Sequence, residues 1–69
     1  MADAVAEHAH RALEAALAAE PEARAAFERL SYTHRREYVE WVSGAKREQT
    51  RRSRLERAVS MLRDGVRHP

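Results

Sequence analysis

The chain has 69 residues and a mass of 7.9 kDa, which is enough for one small domain and too little for a nucleotide-binding α/β fold or an enzyme barrel. It has no cysteine, so disulfides, thiolate zinc sites and cysteine nucleophiles are excluded. The formal net charge is +2, with 35% charged residues and only two glycines and two prolines. This composition predicts an all-α fold, a single helical domain built as a small bundle of three to four helices.

The N-terminal sequence MADAVAEHAHR carries acidic residues where a signal peptide is basic and then apolar. The longest apolar run, residues 15–19, is much too short to cross a bilayer. A secreted protein of this size usually needs disulfides, which this chain cannot form. These features predict a cytoplasmic protein with no membrane span.

The first predicted helix covers residues 4–19. Asp3 is its expected N-cap, and apolar residues recur behind it at helical spacing: Val5, Ala9, Leu13 and Leu17. Pro21 ends this helix because it lacks a backbone N–H, and it suits the first position of a second helix over residues 21–30.

A third helix is predicted over residues 32–45, with Ser31 or Thr33 as its N-cap. Gly44 is expected to stop it in a left-handed conformation. Tyr38 and Trp41 lie on one side of this helix, and their spacing favours a place in the core over the stacking of nucleic-acid bases.

A fourth helix is predicted over residues 48–63, with a break near residues 46–48. No proline separates it from the third helix, so the sequence leaves open whether residues 43–50 form a turn or a bend in one long helix. Gly65 is the expected C-cap, and residues 65–69 are expected to form a frayed tail. The predicted core consists of Leu13, Leu17, Phe27, Leu30, Tyr38, Trp41, Val42, Leu55, Val59 and Leu62.

Charge is distributed unevenly along the chain. Residues 1–30 carry six acidic residues against three arginines, a net of −3, and residues 31–69 carry ten basic against five acidic residues, a net of +5. Such asymmetry is typical of a surface for nucleic acid or an acidic partner, and equally of two halves of one domain that attract each other. Both interpretations stay open at this point.

Four motifs follow one another between Phe27 and Gly65: F-x-x-L-S, H-R-R-E-Y-V-x-W-V, A-K-x-x-x-T-R and R-L-x-x-x-V-x-M-L-x-x-G. In this order they resemble the helical domain of the YdeI/OmpD-associated family, whose members are also labelled bacteriocin-protection proteins. The chain departs from the family pattern at Tyr32 and Glu48, where members often have proline. The departures concern the sharpness of two turns and leave the expected fold unchanged.

The resemblance implies a small all-helical domain and little chemistry, because the family label derives from bacteriocin-protection and porin-association phenotypes rather than from a reaction. Many members carry a small β-barrel domain ahead of the helices. We expect this chain to be a stand-alone helical member, or a domain whose barrel partner has been dispensed with. The expected function is a non-enzymatic interaction module, and the family label implies a role in bacteriocin or stress tolerance.

The histidine and hydroxyl side chains form no pattern typical of catalysis or metal binding. His8 and His10 point about 200° apart on a helix, so they cannot share a metal ion. Ser31, Thr33 and His34 lie at a helix start, where capping explains the two hydroxyl residues. We therefore expect no enzyme activity, no metal and no cofactor.

The sharpest functional candidate is a basic cluster in the second half of the chain. Arg47, Arg51 and Arg54 recur at positions i, i+4 and i+7, so they share a helix face that suits a phosphate backbone. The candidate binding residues are Arg35, Arg36, Lys46, Arg47, Arg51 and Arg54. A nucleic-acid-binding module is therefore the alternative function. It is less favoured because the helix-turn-helix spacing is absent and the net charge is slight.

A stripe of small residues runs along the first helix: Ala9, Ala12, Ala16 and Ala19. Such a stripe lets another helix approach closely, and a domain with so thin a core gains stability by pairing with a copy of itself. We therefore expect a homodimer as one state of the protein, since small helical domains often pair symmetrically. The sequence identifies no other protein partner.

Overall fold

A computed structural model describes the backbone of residues 3–69 and the side chains of residues 7–69. It contains four α-helices: α1 (Asp3–Ala18), α2 (Pro21–Arg29), α3 (Tyr32–Ser43) and α4 (Glu48–Arg63). Within the described residues there is no β-strand, and the predicted all-α fold, a small bundle of helices, is confirmed. The predicted cap Asp3 and the apolar Val5 lie outside the side chains that the structure describes.

Two helices begin where local side-chain chemistry predicts. Pro21 occupies the first turn of α2, where its missing N–H costs nothing, and Glu22 follows near the positive end of the helix dipole. At the start of α3 the Ser31 Oγ accepts a hydrogen bond from the backbone N–H of His34 at 3.2 Å. Ser31, and not Thr33, is therefore the N-cap of α3.

Residues 44–47 separate α3 from α4, so the segment whose form the sequence leaves open is a turn. Gly44 has φ −71° and ψ −14°, a right-handed conformation, and the left-handed residue expected there is not found. The Gly44 amide instead donates to the carbonyl oxygen of Glu40 at 2.8 Å, which completes the last turn of the helix. α3 ends at Ser43, two residues before the predicted position 45.

α1 and α4 hold the bundle together, because each packs against all three other helices, whereas α2 and α3 barely touch each other. The buried part of the predicted core comprises Leu13, Leu17, Phe27, Tyr38, Val42 and Leu62. The other predicted core residues are half-buried against it: Leu30, Trp41, Leu55 and Val59. The predicted core leaves out four alanines that are buried, Ala9, Ala23, Ala45 and Ala58, although the spacing of the first helix already places Ala9 on its apolar face. A buried methyl group lets two helix backbones approach closely, and its small apolar area gives little signal in a hydropathy pattern.

The C-terminal end of α4 reverses at Gly65, whose φ is +86°. The Gly65 N–H donates to the carbonyl oxygen of Leu62 at 3.0 Å, and the Val66 N–H donates to the carbonyl oxygen of Met61 at 2.9 Å. These two bonds are the pattern of a Schellman motif. The predicted glycine cap is thus confirmed.

The chain after this cap differs from the expected frayed tail. Tyr38 Oη donates a 2.6 Å hydrogen bond to the carbonyl oxygen of Val66. The ring of His68 lies 5.6 Å from the ring of His34. Tyr38 is fully buried, so its hydroxyl needs a hydrogen-bond partner within the fold, and the bond to Val66 ties the tail to α3.

Candidate functional site

Two arginines of the predicted basic face donate to backbone carbonyls where α3 meets α4. Arg51 Nη1 donates to the carbonyl oxygens of Ala45 at 3.0 Å and Lys46 at 3.2 Å. Arg54 Nη1 donates to the carbonyl oxygen of Trp41 at 2.7 Å. These carbonyls belong to the end of α3 and the turn behind it, where intrahelical N–H donors run out. The guanidinium groups therefore have a structural role in closing this turn.

Trp41 lies beneath two guanidinium groups of α4. Arg54 and Arg57 are 5.4 and 5.8 Å from the centroid of its ring. Cations at this distance are attracted to the negative face of an indole ring. The ring is thus occupied by side chains of its own chain, which agrees with its predicted place in the packing rather than in base stacking.

The basic residues that remain at this corner form a small surface, here called the corner patch, of Lys46 and Arg47. Both side chains are exposed. The neighbouring Arg52 is 3.7 Å from the carboxylate of Glu48, which offsets one further positive charge. The cluster predicted from the sequence therefore presents less positive charge to a ligand than its count of arginines suggests.

Arg35 and Arg36 lie apart from the corner patch, on α3 toward α1 and α2. Arg36 Nε donates to Glu40 at 3.0 Å, and the hydrogen bond and charge of that carboxylate raise the pKa of the Arg36 guanidinium. Arg35 is half-buried, and its buried Nε has no hydrogen-bond partner among the described side chains. The structure thus places four of the six candidate residues on two separate surfaces, while Arg51 and Arg54 close the turn between α3 and α4.

The second surface is an open groove of about 820 Å³, here called the three-helix groove. It exists because α2 and α3 diverge over α1 and barely touch. Its lining residues are Glu7, His10, Glu14, Leu17, Ala18, Arg24, Phe27, Glu28, Tyr32, Arg35, Arg36 and Val39. Buried Leu17 and Phe27 and half-buried Val39 make part of this lining apolar.

Charges of opposite sign line the two sides of the three-helix groove. The α1 side carries Glu7 and Glu14, and the α3 side carries Arg35 and Arg36. On α2, Arg24 and Glu28 form an ion pair at 3.4 Å and contribute one charge of each sign. The lining therefore holds three carboxylates and three guanidinium groups, and the groove is close to neutral.

Tyr32 stands at the same groove with 70% of its surface exposed, by far the most exposed large apolar side chain among the described residues. The sequence did not predict Tyr32, Glu7 or Glu14 as site residues, because only the packing of α1 beside α3 brings them together. The i, i+3, i+4 spacing of Tyr32, Arg35 and Arg36 was the one signal available.

The alanine stripe of α1 is divided between the core and the surface. Ala9 is buried, Ala12 and Ala16 are half-buried, and Ala19 is exposed. Most of the stripe therefore packs against helices of the same chain, which reduces its value as a surface for a second molecule.

The described side chains include no group of three or more histidine, aspartate or glutamate residues placed to hold a metal ion. Within the same part of the chain, no helix is long and apolar enough to cross a membrane. The Ser31 hydroxyl is engaged as a cap and the Tyr38 hydroxyl as a donor to the tail.

These features define a small all-α domain with a charged, partly apolar groove. The family model described as bacteriocin-protection, YdeI or OmpD-associated matches residues 10–65, from the first helix to the glycine cap of the last. The chain belongs to this family, and the resemblance seen in its motifs is confirmed. Comparison with curated proteins and with solved structures found no match.

Proposed function

We propose that this chain is a non-enzymatic module that binds a protein partner through the three-helix groove. The observation that carries the proposal is the composition of that groove, which combines an apolar lining with charges of both signs and an exposed tyrosine. Protein interfaces combine an apolar centre with a polar rim, and aromatic side chains and arginine are enriched in them.

A binding role agrees with the state of the hydroxyl groups. Ser31 caps α3, and the Tyr38 hydroxyl is buried against the Val66 carbonyl. A nucleophile needs an adjacent base and a third group that orients the base. His34 is near Ser31, but the group of His34 that contacts the Ser31 hydroxyl is its backbone N–H, which donates to the oxygen at 3.2 Å.

We place the protein in the cytoplasm and link its binding activity to bacteriocin or stress tolerance. The first assignment rests on the absence of cysteine from the sequence, and the second on the name of the family. The link to tolerance is tested in cells. A strain lacking the protein should become more sensitive to bacteriocin, and a copy carrying Tyr32→Ala should restore tolerance less well than the unaltered copy.

The binding proposal is tested by capture followed by titration. The immobilised chain should retain a protein from a bacterial extract, and the purified partner should then bind in a calorimetric titration. Tyr32→Ala should weaken this binding at least tenfold, since it removes the exposed aromatic ring from the groove. The matched control Lys46→Ala/Arg47→Ala, in the corner patch, should leave it unchanged. The proposal fails if the control weakens binding and Tyr32→Ala does not.

Nucleic acid is the second candidate partner, and the corner patch is the feature that favours it. Lys46 and Arg47 are exposed, and Arg57 lies nearby over Trp41. Titration with a duplex and a single strand at low and moderate salt tests this alternative, because phosphate contacts weaken steeply with salt. Binding that falls with salt and is lost in Lys46→Glu/Arg47→Glu would support it. Absence of binding at low salt would remove it.

A further inference from the structure

We propose that the partner of the three-helix groove is the same groove of a second copy of this chain, in a two-fold symmetric dimer. The inference rests on the proposed function and adds the identity of the partner. In a two-fold interface a surface meets its own rotated copy, so every contact between residues i and j occurs twice. A surface with acidic residues on one side and basic residues on the other is complementary to itself under that rotation.

The three-helix groove has this distribution of charge. The carboxylates of Glu7 and Glu14 lie on its α1 side and the guanidinium groups of Arg35 and Arg36 on its α3 side. Rotation places the acidic side of each copy against the basic side of the other. Each contact between an acidic and a basic side therefore occurs twice, and the interface as a whole is close to neutral.

The helices of the acidic and basic halves pack together inside one molecule, but few ion pairs in the described part of the chain join the two halves. Among the described side chains, a single ion pair joins them, between Glu20 and Arg63 at 3.7 Å. The other pairs link residues three or four positions apart on one helix. The charge asymmetry along the sequence therefore remains open to a second molecule, and pairing within the bundle uses only a small part of it.

Arg35 and Tyr32 supply the anchors of this dimer. Arg35 lines the α3 side of the groove, and a carboxylate on the partner's α1 side pairs with its positive charge. Tyr32, which is 70% exposed, packs against the apolar lining of the opposing groove.

A second copy fits the groove better than a nucleic acid does. A polyanion would meet Glu7, Glu14 and Glu28 along with the three arginines of the lining, and it would gain no net electrostatic attraction. A small helical domain also gains stability by covering apolar surface with a copy of itself.

The test is a charge-reversal complementation followed by sedimentation equilibrium. One variant reverses the acidic side (Glu7→Arg/Glu14→Arg) and the other reverses the basic side (Arg35→Glu/Arg36→Glu). Each variant alone places like charges opposite one another, so its dimer dissociation constant should rise at least tenfold. An equimolar mixture restores opposite charges at both contacts, and it should form a heterodimer about as tightly as the unaltered chain pairs with itself.

Circular dichroism of each variant shows whether it has folded, since a misfolded chain would lose helix signal and would not be rescued by mixing. Where Arg35→Glu prevents folding, Tyr32→Ala replaces it and should weaken the dimer by a similar factor. The matched control Lys46→Glu/Arg47→Glu makes two reversals outside the groove and should leave the dimer intact.

Each of the following results would overturn the inference: an unaltered chain that stays monomeric at millimolar concentration, reversed variants that dimerise normally, or a mixture that stays monomeric. Dissociation by Ala19→Arg without any effect of the groove variants would instead place the interface on the alanine stripe, and would also overturn it. A monomeric chain that still binds a captured protein through Tyr32 would reject the dimer and retain the proposed function.

Discussion

Arg54 contacts Trp41 in two ways. Its guanidinium lies 5.4 Å from the centroid of the indole ring, and its Nη1 donates to the carbonyl oxygen of the same residue at 2.7 Å. One side chain of α4 therefore holds both the ring and the backbone of a residue in the last turns of α3. The contact explains why an arginine that looks like part of a ligand-binding face is half-buried.

We expect Arg54→Ala to lower the free energy of unfolding by about 2 kcal/mol, because it removes a charged hydrogen bond and a cation–π contact. Urea unfolding followed by circular dichroism measures the change. Arg52→Ala is the matched control on the same helix, since Arg52 is exposed and 3.7 Å from Glu48. That substitution should cost less than about 0.5 kcal/mol. Equal losses in the two variants would contradict the structural role of Arg54.

Tyr38→Phe should lower the free energy of unfolding by about 1 kcal/mol at neutral pH, because it leaves the Val66 carbonyl without its donor. The tail beyond Gly65 should also become more sensitive to carboxypeptidase. Tyr32→Phe, at an exposed position, is the control and should change neither quantity. A tail that stays protected in Tyr38→Phe would show that the hydrogen bond does not hold it.

The stability of the fold should also fall at alkaline pH. Burial raises the pKa of the Tyr38 hydroxyl above its ordinary value of 10.0, so the unfolded chain loses this proton at lower pH than the folded chain. The contribution is fully present below about pH 10 and is lost as pH rises through the folded pKa. Urea unfolding at pH 9, 10 and 11 should show a decline that is shallower in Tyr38→Phe. An identical decline in both proteins would assign it to other groups.

Ser31→Ala should lower the free energy of unfolding by about 1 kcal/mol, because α3 loses the side-chain acceptor for an otherwise free N–H. Thr33→Ala, two residues along, should have an effect within about 0.5 kcal/mol because its side chain is exposed. Thermal unfolding of the two variants measures the difference. A larger loss for Thr33→Ala would move the cap to that residue.

Gly65→Ala should lower the free energy of unfolding by about 1 kcal/mol. A Cβ at this position meets no atom within 4 Å, so the cost comes only from the φ of +86°, which an L side chain rarely adopts. Asp64→Ala, at the preceding exposed position, serves as the comparison and should be close to neutral. Chemical denaturation of both variants tests the assignment.

The parts of the fold that sequence reasoning predicted are those determined by local chemistry. Pro21 starts α2, Ser31 caps α3 and Gly65 ends α4, and each acts within a few residues of its own position. The large apolar residues of the core follow from helical spacing. The same spacing does not show which alanines are fully buried, as Ala23 and Ala58 are, because the burial of an alanine depends on which helix lies opposite.

The site was less predictable because its parts are distant in sequence. Arg54 reaches a carbonyl 13 positions away, a contact that depends on how α3 and α4 meet. The three-helix groove depends on the divergence of α2 from α3, which no periodicity encodes. Spacing alone therefore assigned Arg51 and Arg54 to a ligand, and tertiary structure gives them backbone partners.

The hydrogen bond from Tyr38 to Val66 joins residues 28 positions apart, so it closes a loop that contains the whole of α4. Arg51 and Arg54 fasten the beginning of the same helix to the end of α3. Neither end of α4 can therefore detach from α3 without breaking one of these contacts. The two helices should therefore open as one cooperative unit, and their slowest amide protons should exchange with deuterium at a common opening free energy.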